Sequence, residues 1–181
     1  MTNKRLKVIG LLLLCTVCGH TQENMNRFID QLMSRMTLDE KIGQLNLCVE
    51  GGFVAGENKG ETSANSKEER IAHGEIGGLF GMRGAGRIRE WQRIAVEKSR
   101  LKIPLLFGLD IIHGYDVTFP IPLALASTWD MEMIEKVARV SALEASSDGV
   151  CWAFSPMVDI CRDARWGRIA ESAGEDPYLG A

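Results

Sequence analysis

The sequence has no apolar run long enough to cross a membrane, no block of basic residues and few cysteines. Its longest apolar run, residues 8–17, is about half of the roughly 20 residues that a membrane-spanning helix needs. The 21 Lys and Arg are interspersed with 24 Asp and Glu, giving a formal charge of −3 and no cationic stripe for phosphates. The composition therefore excludes a polytopic membrane protein, argues against a nucleic-acid partner, and indicates a globular chain of undefined oligomeric state.

Residues 1–19 have the features of an export signal. Three basic residues among the first seven precede the apolar run, and Val17-Cys18-Gly19 fits a cleavage site. We predict a signal peptide over 1–19 and an exported protein, periplasmic or secreted. Its removal takes away three positive charges and no negative ones, which changes the formal charge from −3 to −6. A lipoprotein anchored through Cys18 is an alternative, which the bulky Val17 fits poorly.

Three cysteines remain after the leader: Cys48, Cys151 and Cys161. Because their number is odd, we predict three small buried hydrophobic side chains rather than a disulfide framework. The C-x-x-C spacing of Cys15 and Cys18 lies inside the leader, so it does not indicate a redox or zinc site.

Two helices are predicted at the start of the mature chain. Apolar residues at helical spacing indicate a first helix from about Asn24 to Met36. Thr37 and Glu40 have the spacing of a capping box, which predicts a second helix beginning there. Its apolar stripe runs on to a stop at Gly51-Gly52 and consists of Leu38, Ile42, Leu45 and Val49.

Beyond a predicted loop over residues 52–69, short apolar runs alternate with helical stripes. Two helices are predicted, from Arg87 to Arg100 and from Asp130 to Asp148, with Gly149 as the C-cap of the second. This alternation predicts an α/β fold with a parallel sheet, either a (β/α) barrel or a doubly wound open sheet, with its chemistry at the carboxyl ends of the strands. The three predicted strands are Ile76–Phe80, Leu105–Leu109 and Val150–Phe154.

The first strand end is a glycine-rich turn, Gly81–Gly86. Such a turn at the start of a helix can cradle a phosphate, and an acidic residue, Asp110, follows at the next strand end. Its G-x-x-G-x-G spacing nevertheless departs from the G-x-G-x-x-G of dinucleotide-binding folds. A nucleotide-binding α/β oxidoreductase is therefore the alternative of another class, and a plain turn is favoured.

The other two strand ends carry most of the charge. Asp110 leaves a buried strand directly and needs hydrogen-bond donors, which sugar hydroxyls can supply. The equal alternative is that Asp110 caps the following turn and His113 packs beside it. After the third strand, a polar loop suggests an ion-paired scaffold with arginines suited to binding hydroxyls or a carboxylate. Its charged residues include Arg162, Asp163, Arg165, Arg168 and Glu171.

Taken together, these segments resemble the N-terminal domain of glycoside hydrolase family 3, the β-glucosidase and β-xylosidase family. The resemblance covers nearly all of the mature chain in the family's order. Its one departure is Ala164, where the family commonly has proline. The motifs that carry the resemblance are Met36–Leu45, Gly108-Leu109-Asp110 with His113-Gly114, Phe119-Pro120, Pro156–Asp163, Arg165–Arg168, Glu171-Ser172 and Gly174–Tyr178.

The resemblance implies that residues 24–181 form part of a (β/α)8 barrel, with about three of its βα units. It implies retaining exo-hydrolysis of terminal β-linked glucosyl residues, with a β-linked oligosaccharide or glycoside as substrate and no metal or organic cofactor. An N-acetyl-β-glucosaminidase or a β-xylosidase of the same family is the alternative.

The resemblance also implies roles for individual residues. Asp110 and Arg168 correspond to residues that bind the sugar in the −1 subsite. The catalytic nucleophile and acid/base are expected beyond residue 181, so that residues 20–181 alone should be inactive. They should also fold poorly, because an opened barrel exposes a parallel strand edge and half of its core. The supporting residues implied are His113, Arg162, Asp163, Arg165 and Glu171.

Overall fold

The computed structural model describes residues 22–50 and 64–180, which fall into two compact units, one up to Lys41 and the other from Ile42 onward. In the first unit, residues 22–35 form helix α1, in agreement with the predicted first helix. The predicted signal peptide, Cys15, Cys18 and the Gly51-Gly52 stop lie outside the described residues. In the described part of the chain, no helix is both long and apolar enough to span a membrane.

The capping box at the start of helix α2 (Leu38–Gln44) is confirmed. The Thr37 backbone N–H donates to the Glu40 carboxylate at 2.8 Å, and the Glu40 N–H donates to the Thr37 hydroxyl at 3.2 Å. Each side chain thus satisfies a backbone donor that the first helical turn leaves unpaired.

The predicted continuation of α2 to Val49 is wrong, because the chain leaves the helix at Gln44 and forms strand β1, Leu47–Val49. Asn46 fixes this change: its side-chain amide donates to the Glu75 carbonyl at 3.0 Å, and its own carbonyl accepts from the Gly77 N–H at 3.1 Å. These partners are about 30 residues away, so helical periodicity within the segment carries no sign of them.

Four parallel strands form the sheet of the second unit, one more than predicted, and they lie side by side in sequence order. A doubly wound sheet reverses its strand order, whereas a barrel adds each strand next to the preceding one. The strand order therefore indicates a barrel-type α/β fold. Within the described residues the sheet is open, with β1 and β4 as its edge strands. The strands after β1 are β2 (Gly78–Phe80), β3 (Leu106–Leu109) and β4 (Trp152–Ala153).

The helices between the strands are α3 (Ala64–Ala72), α4 (Ala85–Arg93) with a π-helical extension over Ile94–Lys98, α5 (Pro122–Ala126) and α6 (Met131–Ser147). Helix α3 overlaps the predicted loop of residues 52–69, which is therefore wrong from Ala64 onward. The Lys67 amino group donates to the carbonyls of Val49 and Glu50 at 2.7 and 2.8 Å, so tertiary contacts at the end of β1 hold this polar helix in place.

Both ends of α6 are as predicted. The Asp130 side chain accepts from the Met133 N–H at 2.9 Å, which caps the N-terminus. Gly149 follows the helix with φ at +100°, a conformation that favours glycine. It also lies close to α4, because a Cβ added at Gly149 would meet Ile88 Cγ2 at 2.8 Å.

The core lies between the sheet and its helices. On the helix-covered face, Cys48, Leu79 and Phe107 are aligned on neighbouring strands and all are buried. Cys161 is buried as predicted, but Cys151 is exposed because it precedes the edge strand β4. The helices and connections contribute the rest of this core cluster: Ile71, Ile76, Met82, Ile88, Ile94, Ala95, Leu105, Tyr115, Ala145 and Val150.

Candidate functional site

The loops that follow β3 and β4 begin side by side. The Phe154 N–H donates to the Leu109 carbonyl at 3.0 Å, and the Ser155 N–H donates to the Asp110 carbonyl at 3.0 Å. Gly108 allows this approach, since the Phe154 ring lies where a Cβ at Gly108 would be, with Cε2 at 2.8 Å. The backbone pairing therefore starts the two polar loops at the same edge of the sheet.

The Asp110 carboxylate is exposed at this edge. It accepts no hydrogen bond from any residue in the described part of the chain, so the expectation that it caps the following turn is wrong. A carboxylate offers about four acceptor sites on its two oxygens. Those of Asp110 face solvent and are available to donors from outside the protein.

Arg168, on the loop after β4, is held by Glu171. Its Nε and Nη2 donate to Glu171 Oε2 at 3.0 and 2.5 Å, and Nη2 lies 3.6 Å from the Met157 sulfur. The Glu171 contact raises the pKa of Arg168, and the charges of Asp110 and Asp159 raise it further. The hydrogen bond from Arg168 in turn lowers the pKa of Glu171. Arg168 and Glu171 thus form an ion pair, and Asp110 joins them in one charged group through the effect of its charge on Arg168.

Asp159 belongs to the same group and was not singled out in the sequence. It lies within the motif from Pro156 to Asp163, but nothing in its local pattern distinguishes it from the other carboxylates of the loop. Only its electrostatic effect on Arg168 does so.

A second ion pair braces the loop without joining this group. The Arg165 guanidinium binds Asp163 with both ends, with Nε at 3.0 Å from Oδ1 and Nη2 at 2.5 Å from Oδ2. This contact lowers the pKa of Asp163 and raises that of Arg165. Arg162 is exposed and forms no hydrogen bond or ion pair with the residues that the structure describes.

His113 closes the loop after β3. Its Nδ1 lies 3.2 Å from the Phe119 carbonyl, and its own carbonyl accepts from the Phe119 N–H at 2.8 Å. Since a carbonyl can only accept, the Nδ1 contact requires the proton on that nitrogen. His113 therefore shapes the loop that Asp110 begins, and Gly114 pairs with Thr118 inside it.

The glycine-rich turn after β2 does not present an open phosphate cradle. The Asp148 carboxylate accepts from the N–H groups of Gly84 and Ala85 at 2.5 and 2.6 Å, at the start of α4. The position where an anion would bind a helix N-terminus is thus filled by the protein's own carboxylate. Among the described residues, no group of three or more His, Cys, Asp or Glu is placed to hold a metal ion.

A parallel sheet with its strands in sequence order and polar residues at its carboxyl edge places the chain in the class of barrel-type α/β domains. Residues 37–181 match the Glycosyl hydrolase family 3 N terminal domain, and the chain belongs to this family. This match gives no support to the nucleotide-binding alternative.

Named relatives agree with the family. A periplasmic beta-glucosidase of Salmonella typhimurium is 42% identical over 159 residues, which are 88% of this chain and 20% of the relative. A beta-xylosidase of Formosa agariphila is 37% identical over 68% of this chain and 18% of its own length. A crystal structure of a beta-glucosidase from Listeria innocua in complex with isofagomine aligns with a TM-score of 0.72 and 41% identity, over 85% of this chain and 21% of that one. The chain thus spans about a fifth of the length of these proteins.

Proposed function

We propose that the protein hydrolyses terminal β-linked glucosyl residues of oligosaccharides or glycosides with retention of configuration. In this proposal Asp110 and Arg168 bind the terminal sugar in the −1 subsite. One observation carries it: the unengaged Asp110 carboxylate shares the edge of the sheet with an Arg168 guanidinium that Glu171 holds in place.

The chemistry of the two groups suits a sugar. The carboxylate of Asp110 can accept hydrogen bonds from two neighbouring hydroxyls, and the guanidinium of Arg168 can donate to a hydroxyl oxygen. Because a hydroxyl both donates and accepts, an acceptor and a donor at one edge can hold a sugar by adjacent hydroxyls. No metal or organic cofactor enters this scheme.

Retaining hydrolysis requires a carboxylate nucleophile and a separate acid/base about 5 to 5.5 Å apart. We assign Asp110 to neither role, since hydroxyl binding occupies its oxygens. The remaining residues of the edge support the two binding groups: Glu171 orients Arg168, the Asp163–Arg165 pair stiffens the loop, and His113 closes the loop after β3. Arg162 completes the proposed support, although no contact in the described structure assigns it a task.

The proposal is tested by steady-state assays of the full-length product of this gene. We expect kcat/KM for 4-nitrophenyl β-glucoside to exceed those for the β-xyloside and the N-acetyl-β-glucosaminide. The Formosa agariphila relative makes β-xylosidase activity the second candidate. A higher kcat/KM on the xyloside or the glucosaminide would assign the corresponding activity instead. Absence of turnover on all three, together with binding of NAD, would reject the glycosidase proposal.

Replacing Glu171 by glutamine is expected to lower kcat/KM for the aryl β-glucoside by about tenfold, equivalent to about 1.4 kcal/mol. The variant loses the charge that fixes Arg168, whereas the stability of the fold should change little because the pair is partly exposed. Glu132→Gln is the matched control, since Glu132 also pairs with a nearby basic residue, Lys136, but on the exposed surface of α6. Equal activities of the two variants would remove Glu171 from the site.

We also propose that the protein is exported and that residues 1–19 are its signal peptide. Two relatives are named as periplasmic, including the beta-glucosidase of Salmonella typhimurium. Mass spectrometry of the mature protein is expected to give an N-terminus just after residue 19. A lipid-modified N-terminal Cys18 would assign the lipoprotein alternative, and an intact Met1 in the cytoplasmic fraction would contradict export.

A further inference from the structure

Asp148, at the C-terminal end of α6, joins the loops that follow two different strands. Its carboxylate accepts from the backbone N–H groups of Gly84 and Ala85, where the loop after β2 enters α4. It also accepts a hydrogen bond from the Tyr115 hydroxyl, in the loop after β3. The Tyr115 contact and then the Gly84 contact lower the pKa of Asp148. Three donors from two loops thus converge on one group.

Tyr115 is buried and held on several sides. The Arg83 guanidinium lies over its ring, 4.1 Å from the centroid, and Nη2 donates to the Tyr115 carbonyl at 2.6 Å. The two residues that follow are held by Glu144, whose Oε2 accepts from the N–H groups of Asp116 and Val117 at 3.0 and 3.2 Å. Residues 115–117 are therefore fixed to α6 and to the loop after β2.

Between this fixed segment and Asp110 lies a strained residue. Ile111, directly after Asp110, has φ at +53°, in the left-handed region that β-branched side chains rarely adopt. Its side chain packs against the core. A backbone in this state persists only where its surroundings hold it. The contacts of His113 and Gly114 hold the chain within the loop, and the segment at Tyr115 ties that loop to α6 and to the loop after β2. The direction of the Asp110 side chain depends on this turn, because the strained residue is its immediate neighbour.

We propose that Tyr115 and Asp148 are positioning residues, which hold the loop after β3 so that the Asp110 carboxylate faces the bound sugar. The inference rests on the proposed function, because it takes Asp110 as a sugar-binding residue. Neither residue touches the sugar in this scheme. Tyr115 acts through the backbone of residues 111–115, and Asp148 acts through Tyr115 and the start of α4.

The test uses Tyr115→Phe in the full-length gene product, which removes the hydroxyl and keeps the ring beneath Arg83. We expect kcat/KM for 4-nitrophenyl β-glucoside to fall about fivefold to tenfold, less than a hydrogen bond to a charged group would contribute directly, because Tyr115 acts on the sugar only through the loop. The inhibition constant for glucose should rise by a similar factor. Tyr178→Phe is the matched control, since Tyr178 is the other tyrosine of the sequence and is 71% exposed. We expect it to leave both values unchanged.

A double substitution distinguishes a loss of kcat/KM that acts through the position of Asp110 from a loss caused by lower stability of the fold. If Tyr115 acts through Asp110, Tyr115→Phe should cause no further loss of kcat/KM in the Asp110→Asn background. Losses that multiply in the double variant would overturn the inference, as would an unchanged kcat/KM in Tyr115→Phe alone. A normal kcat/KM in Asp110→Asn alone would overturn the sugar-binding role itself and the inference with it. The single variants thus show which of the two proposals has failed.

Discussion

Asp110→Asn in the full-length gene product is expected to lower kcat/KM for an aryl β-glucoside by about 100-fold. Each hydrogen bond from a hydroxyl to a charged group contributes about 1.5 to 3 kcal/mol. The amide replaces one acceptor oxygen by a donor that opposes a hydroxyl hydrogen, and it removes the charge from the other bond. A combined loss of about 3 kcal/mol corresponds to about two orders of magnitude in kcat/KM. Steady-state kinetics of the purified variant measures this loss.

The fold should tolerate this substitution. The carboxylate of Asp110 accepts no hydrogen bond from the residues described, so its replacement leaves no protein donor unpaired. We expect an unchanged melting temperature, with Glu132→Gln as the control for loss of an exposed carboxylate. A kcat/KM within about twofold of the original protein would exclude Asp110 from the sugar subsite.

Leu79→Ala is expected to destabilise this domain by about 3 to 5 kcal/mol. Leu79 is fully buried in β2 between Cys48 and Phe107, so truncation removes apolar contacts and leaves a cavity in the centre of the sheet. The urea dependence of hydrogen exchange at the amides of β2 and β3 measures the effect within this domain, even in a longer protein.

Leu143→Ala is the matched control for Leu79→Ala. Leu143 lies on α6 with half of its side chain exposed, and its truncation should change stability by less than about 1 kcal/mol. Similar losses for the two variants would mean that the core is not centred on the helix-covered face of the sheet.

The sequence predicts those parts of the fold whose signals are local. Apolar runs bounded by glycine or proline identify β2, β3 and β4, and the caps of α6 are visible in Asp130 and Gly149. Strand β1 was not predicted because Leu45 and Val49 continue a helical stripe. The hydrogen bonds of Asn46 that end the helix are made with residues about 30 positions further along the chain. Exposure of Cys151 likewise depends on which strand lies at the edge of the sheet, a property of topology.

In the candidate site, too, some features have a local sequence signal and others depend on tertiary contacts. Asp110 and Arg168 stand in motifs that can be recognised from neighbouring residues. Their approach depends on the pairing of Ser155 with Asp110. The role of Asp148 has no local signal, since its donors at Gly84 and Ala85 lie more than sixty residues earlier. A sequence pattern identifies a glycine-rich turn as a potential anion site but does not reveal that a distant carboxylate already occupies it.

The sequential strand order also affects how the chain can fold during its synthesis. Each strand pairs with the strand made immediately before it, so no strand waits for a partner that emerges much later. Pairing between consecutive strands keeps each intervening chain shorter than pairing between more distant strands would, which lowers the entropy lost on closing it and shortens the time that apolar edges stay open to aggregation. The described strands can therefore pair from β1 toward β4 as the polypeptide is produced, and the loops that carry Asp110 and Arg168 come together only once β4 has paired with β3.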